Sequence, residues 1–202
     1  PYSASKATAE LVFNSYFQTY FIHMQNINLA TARAGNVIGG GDFSKNRIVP
    51  DIINSWINKK KLIIRSPKST RPWQHVLEAI WGYLLLASKM KKNKKLHGEV
   101  FNFGPINTNN YSVLQVVKTM KKSWEKVSWK IHISKKKSFY ESSLLKINSN
   151  KSKQKIKWKC ILTFSETVQM VVNWYKINDT NSKKIYKTTI NQIKDYEKLL
   201  KK

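Results

Sequence analysis

Apolar residues recur every three to four positions through residues 4–23 (ASKATAELVFNSYFQTYFIH), the period of a helix that buries one face. The next run, Ile27–Ala34 (INLATARA), reads as a buried strand. Three consecutive glycines, Gly39 to Gly41, then interrupt the pattern within NVIGGGDFSKN, a turn-rich stretch. Pro50 with Ile52, Ile53, Trp56 and Ile57 predicts a short helix, and KLIIRSP a strand after it. Helical spacing returns from Val76 to Met90, and GEVFNFGP reads as a strand entering a loop. Tyr111–Trp124 predicts a helix, WKIHIS a short strand, and Thr163–Tyr175 another amphipathic helix. The last twenty residues alternate Lys with Ile, Tyr and Leu and read as an exposed helix or a frayed end. No internal repeat is visible. Strand and helix alternate throughout, which predicts an α/β chain with at least some parallel pairing.

Length and composition narrow this picture. The 202 residues fit one domain, or one and a part. With 41% hydrophobic and 12% aromatic residues the chain has the means to build a core. The longest apolar run, Ala79–Ala87, is broken by Gly82 and falls far short of a membrane span. No basic-then-apolar leader opens the chain, so the expected location is cytoplasmic. One cysteine, Cys160, excludes an intramolecular disulfide and any cysteine cluster for a metal. His23, His97 and His132 have no carboxylate or Cys partners at ligand spacing, so no metal is assigned. The first residue is Pro1, as in a chain that begins in the middle of something.

Charge invites a nucleic-acid reading, because 37 Lys plus Arg against 11 Asp plus Glu leave a net +26. The cations argue against it. Thirty-three are Lys and four are Arg, beside 18 Asn. Dedicated nucleic-acid binders exploit Arg for bidentate contacts, and runs of Lys usually form solvated faces. No specific nucleic-acid partner is therefore expected. The same bias makes the arginines informative: all four lie between Arg33 and Arg71, where a planar fork rather than a plain cation has been kept.

The first candidate chemistry is PYSASK. Tyr2 and Lys6 stand at i and i+4, on one face of a helix. An ammonium group beside a phenol stabilises the phenolate, which suits a Tyr to act as a base near neutral pH. In so Lys-rich a chain about 1.5 such pairs arise by chance. An exposed Tyr stacked on its own helix is the plain alternative.

The surroundings add to the pair. TARAGNVIGGGD, NRIVPDII, RPWQHVLEAIWGYLLLA and VFNFGP follow in order. Together these segments resemble the extended short-chain dehydrogenase/reductase family that acts on nucleotide-sugars. PYSASK, ARAGNVIGGGD and RPWQHVL look closest to its CDP-glucose 4,6-dehydratase branch. ESSLLKINSNKSKQKIKW resembles the late segment in which a strand leads into a short helix and a Trp. The likeness runs from Pro1 to about Tyr175.

The resemblance implies a partial Rossmann-like fold. Residues 1–175 would hold late elements of the NAD domain interleaved with the smaller substrate domain, and residues 176–202 a Lys-rich tail. It implies NAD as cofactor, a nucleotide-sugar such as CDP-glucose as substrate, and a homodimer in the complete enzyme. Tyr2 would take the proton of the sugar's 4-hydroxyl. Lys6 would support the phenolate and, with Tyr2, contact the cofactor. Arg71 matches the position that holds the pyrophosphate, and Arg47 a second cation. Arg65 falls near the ribose or base, Asn36 near the sugar-phosphate, and Arg33 is left as structural. Gly39–Gly41 does not fit GxGxxG and is expected to shape the loop from which Asn36 reaches the ligand. In the family the Gly-rich dinucleotide loop and the acid/base pair for elimination precede the Tyr–Lys motif. The chain is therefore expected to be a carboxy-terminal part, inactive alone. His75 and Trp73 either meet the base or belong to the core, with core favoured, and Trp158 is expected in a core. Glu141 matches a family Glu of unassigned role. Ser143 stands where close relatives carry His. An epimerase or reductase of the same superfamily, and a non-enzymatic basic chain, remain the alternatives.

Overall fold

The structure is a computed structural model that describes residues 1–105, 110–124, 128–132 and 144–201. Glu141 and Ser143 lie outside these residues. Helix α1 (Tyr2–Tyr16) opens the chain and runs into a π-turn, Phe17–Phe21. Strands β1 (Thr31–Ala34) and β2 (Asn36–Ile38) follow, then α2 (Ile48–Ile57) and β3 (Leu62–Ile64). Two short strands, β4 (Thr70–Arg71) and β5 (Trp73–His75), lead directly into α3 (Val76–Lys92). Beyond it come β6 (Val100–Phe103), β7 (Tyr111–Ser112), α4 (Val113–Ser123) and β8 (Trp129–Ile131). Three helices complete the chain: α5 (Asn150–Ile156), α6 (Phe164–Thr180) and α7 (Ile185–Leu200).

Among the described residues, three of the four strand pairings are parallel, as the alternation of strand and helix predicts. β1 pairs with β6 (Arg33 opposite Asn102), β2 with β5 (Asn36 opposite Trp73) and β3 with β8 (Leu62 opposite Trp129). The exception is antiparallel: β4 pairs with β7, Arg71 opposite Tyr111.

Among the described residues, two apolar clusters hold these elements. The larger joins α2, β3, α4 and α6 through Ile52, Ile53, Trp56, Ile64, Val116, Met120, Val171 and Tyr175. Trp56 and Trp124 meet edge to face in it, ring centres 5.2 Å apart. The smaller packs α3 and α5 on β6. Alternate residues Phe101 and Phe103 turn one face of that strand inward, against Leu86, Ile156 and Trp158. Trp158 is thus a core residue, as expected. α3 comes this close to β6 because Gly82 has no side chain; a Cβ there would lie 2.4 Å from the Phe103 ring.

The structure corrects several boundaries. The strand expected from Ile27 begins only at Thr31, because the Leu29 N–H is taken by His97 Nδ1 at 3.1 Å instead of by a neighbouring strand. With Nδ1 accepting, the His97 proton sits on Nε2 and reaches the Phe21 carbonyl at 2.9 Å, tying down the end of the π-turn. The helix expected from Tyr111 starts two residues later, because Ser112 is its N-cap: the Ser112 hydroxyl accepts from the Gln115 N–H, and the Gln115 side chain from the Ser112 N–H. α6 runs five residues beyond Tyr175, and the helical reading of the last residues is the one observed. α7 docks on the body rather than fraying: Tyr196 is buried, and the Gln192 side chain donates to the Met170 carbonyl at 2.8 Å. Among the described residues no helix is long and apolar enough to cross a membrane.

Candidate functional site

A groove of about 1280 Å³ opens beside β1, β2 and β3, and its lining brings together Tyr2, Asn36, Arg47, Arg65 and Arg71. These residues come from four separated stretches of sequence. Parallel pairing explains part of the convergence, since β2 lies against β5 and so sets Asn36 beside the strand that follows Arg71. Lys6 is not part of the lining. Its ammonium lies over the Tyr2 ring, 5.8 Å from the centroid, a cation–π contact on the exposed start of α1.

The lining has a clear sign. It holds six cations (Arg33, Lys45, Arg47, Arg65, Arg71 and Lys146) against two carboxylates, Asp42 and Asp51. Such a wall attracts anions, and its guanidinium forks match the paired oxygens of a phosphate. Arg71 is the most firmly built of the cations, buried to 8% exposure on β4 with Nη1 donating to the Thr70 carbonyl at 2.8 Å. Arg47 lies at the other extreme, exposed but paired with Asp42 at 3.2 Å. Burial pushes the Asp42 carboxyl up, yet bonds from the Ser44 amide and hydroxyl and from Arg47 outweigh it and leave it below the usual carboxylate value. Asp51, in the first turn of α2, moves the other way. Its burial prevails over the Asn46 backbone N–H and the Arg65 charge.

Arg33 lines the groove and also makes a structural tie. Its Nε donates to Glu10 at 2.7 Å, and Thr31 adds a bond to the same carboxylate at 3.3 Å, so β1 holds α1 in place. The hydrogen bond from Arg33 draws the Glu10 carboxyl below its ordinary value despite some burial. Trp73 and His75 belong to the buried framework. Trp73 donates its indole N–H to the Tyr111 carbonyl at 2.8 Å. His75 Nδ1 accepts from the Leu77 N–H and caps α3. Burial lowers the His75 pKa to about 4, so the ring is neutral at physiological pH. Among the described residues no group of three or more His, Cys, Asp or Glu is placed to hold a metal.

Attention to arginines alone misses other groove residues, Lys45, Lys146, Asn102, Asp42 and Asp51 among them. Lys45 and Lys146 are lost in a chain with Lys nearly everywhere, and nothing in the sequence marks them. Asn102 is fixed by its bond to the Asn148 carbonyl at 3.2 Å. Asp42 carried a signal: an acid directly after three glycines and five residues before an arginine.

The family model described as GDP-mannose 4,6 dehydratase matches residues 1–171. The chain belongs to this family. A curated member similar to it is CDP-glucose 4,6-dehydratase of Salmonella typhimurium, 38% identical over 181 residues, which cover 87% of this chain and 50% of the relative. The dTDP-D-glucose 4,6-dehydratase of Homo sapiens is 24% identical over 93% of this chain and 51% of its own. The chain thus spans about half the length of these two relatives. Among solved structures, UDP-glucuronic acid 4-epimerase from Bacillus cereus, in complex with UDP-glucuronic acid and NAD, superposes with a TM-score of 0.71 at 20% identity, covering 87% of this chain and 52% of that one. The dTDP-glucose 4,6-dehydratase from Bacillus anthracis, in complex with NAD, gives 0.68 at 23%, covering 89% and 53%. At these identities the structures speak to fold alone: the chain has the extended short-chain dehydrogenase/reductase fold that its motifs resemble.

Proposed function

We propose that this GDP-mannose 4,6 dehydratase family chain supplies the nucleotide-sugar-binding half and the Tyr–Lys pair of a CDP-glucose 4,6-dehydratase. The observation that carries the reading is the convergence of Tyr2, Asn36, Arg47, Arg65 and Arg71 on one cationic groove. The 38% identity to the Salmonella enzyme supports the choice of nucleotide and reaction.

In this reading the guanidinium groups of Arg71 and Arg47 take the diphosphate, each charge-assisted bond contributing about 1.5 to 3 kcal/mol. Arg65 faces the ribose or base, and Asn36 the sugar-phosphate. Tyr2, which lines the groove, accepts the proton of the sugar's 4-hydroxyl as a phenolate, and the ammonium of Lys6 favours that base form; the proton transfer leaves Tyr2 as the neutral phenol. The residues present fit one end of NAD: the exposed phenol and ammonium at the start of α1 suit the nicotinamide ribose. NAD, when bound, supplies the hydride acceptor and donor that a 4,6-dehydration needs. Leu11, Tyr16 and Tyr20 are exposed along α1 and its π-turn, and they support a homodimer of the complete enzyme packed through this helix.

Calorimetry at moderate salt tests the groove, with CDP-glucose compared against ATP. The chain should prefer CDP-glucose, and Arg71→Ala should weaken that binding by roughly tenfold or more. Arg65→Ala, at an exposed position, is the companion variant whose folding is not in question. Equal binding of both ligands by wild type and variants would mean that a diffuse lysine field is at work, and the reading would fall.

A further inference from the structure

Gly39 and Asp42, the two ends of a tight loop, line the groove, and what fixes that loop comes from far along the chain. Tyr175, on α6, is completely buried, and its hydroxyl donates to the Asp42 carbonyl at 2.6 Å, with the Gly39 carbonyl 3.3 Å away. Burial raises the Tyr175 pKa to about 12, so this group remains a donor throughout the neutral range. The neighbouring residue braces the same loop. The Trp174 indole lies so close to Gly40 that a Cβ there would sit 2.1 Å from the ring, and Trp174 Nε1 donates to the Thr189 hydroxyl of α7 at 2.9 Å. Both residues lie beyond the stretch, 1–171, that the family model matches.

Asp42 passes this restraint on. Its backbone is held by Tyr175, and its carboxylate accepts from the Ser44 N–H at 3.0 Å and from Arg47 Nη1 at 3.2 Å. The Arg47 side chain is 66% exposed, and its ion pair with Asp42 is what orients it. A free arginine must lose side-chain entropy when it grips a ligand, and an ion pair set at the groove removes part of that cost beforehand.

We propose that Tyr175 is a positioning residue for the groove: by fixing Asp42, it presents Arg47 to the diphosphate of the bound ligand. The inference rests on the groove being a diphosphate site, and goes beyond it in naming what orients the cation. Removal of the hydroxyl alone is the natural probe. A Phe at 175 would keep the ring contacts to Phe43 and Trp174, whose centres lie 5.7 and 5.2 Å away.

The test is a thermodynamic cycle read by calorimetry on wild type, Tyr175→Phe, Arg47→Ala and the double variant, at moderate salt. CDP-glucose and inorganic pyrophosphate are titrated separately. Arg47→Ala should weaken binding by about tenfold and Tyr175→Phe by about fivefold. The double variant should bind no more weakly than Arg47→Ala alone, since Tyr175 acts through that arginine. Asp42→Asn, which leaves the core untouched, should match Tyr175→Phe and serves if the latter folds poorly. Additive losses, or wild-type binding by Tyr175→Phe or Asp42→Asn, would overturn the proposal. Wild-type binding by Arg47→Ala would overturn it together with the phosphate role of Arg47. If CDP-glucose binds no better than ATP while pyrophosphate still shows the non-additive pattern, the substrate reading fails and the positioning role stands.

Discussion

The two sides of the groove are built in opposite ways. On one side α1 carries Tyr2 and Lys6 without a single buried residue, and a half-exposed ion pair, Glu10 with Arg33, ties it to β1. On the other, the arginine-bearing wall stands on a framework in which Gln74, His75, Glu78 and Tyr175 are all at or near full burial. In the proposed reading, proton transfer falls to an exposed helix, and anion binding to a wall that rests on the buried framework. A short local motif is enough for the first, because i and i+4 on a helix meet by geometry alone. The second needs contacts between distant parts of the chain.

If that contrast is right, substitutions should differ in cost according to the side they strike. The heaviest loss is expected at Glu78, wholly buried in the first turn of α3. It accepts from the Ile161 and Leu162 N–H groups at 2.8 and 2.7 Å, and from the Tyr196 hydroxyl at 2.8 Å. Burial pushes this carboxyl up, against the pull of the donors from Leu162, Tyr196 and Ile161. Glu78→Ala strands three donors, two of them buried, and should cost on the order of 4 kcal/mol in denaturant unfolding. A loss below about 1 kcal/mol would show that α7 does not depend on this junction.

A somewhat smaller effect should appear on acidification. The His75 pKa is about 4 in the folded chain against 6.5 for the free side chain. Between those values the unfolded chain takes up a proton that the folded one refuses, so stability falls as pH falls. The contribution is fully present above about pH 6.5 and is lost progressively down to about pH 4, about 3 kcal/mol in all. His75→Gln should flatten this acid limb when melting is followed against pH. An unchanged slope would mean that His75 is not the group responsible.

The least costly change is expected on the α1 side. Arg33→Ala removes a pair whose side chains are 48% and 31% exposed, and should cost less than about 1 kcal/mol, with the difference shrinking in high salt. Amide exchange in α1 should speed up more than elsewhere. A loss comparable to that at Glu78 would make α1 part of the rigid body and dissolve the contrast.

What the sequence made legible follows the same division. α3 and α6 are visible from their period, the Tyr2–Lys6 pair from its spacing, and the groove arginines from their scarcity among lysines. β4, β5 and β7 are two or three residues long, too short to display any period, and exist because partners far along the chain complete them. The late start of β1 depends on a histidine contributed from after α3. Gly39–Gly41 shows as a turn, but nothing near it in the sequence reveals that Tyr175 and Trp174 hold it.

That contact has a consequence on a longer timescale than binding or folding. A glycine and an indole ring occupy adjoining space at positions 40 and 174, so neither can be altered freely while the other stays. A side chain gained at 40 is tolerable only alongside a smaller residue at 174, and the two changes should enter a lineage together. Aligned descendants of this chain should therefore show the pair as one inherited character, linking the drift of a core helix to that of a loop far before it in the chain.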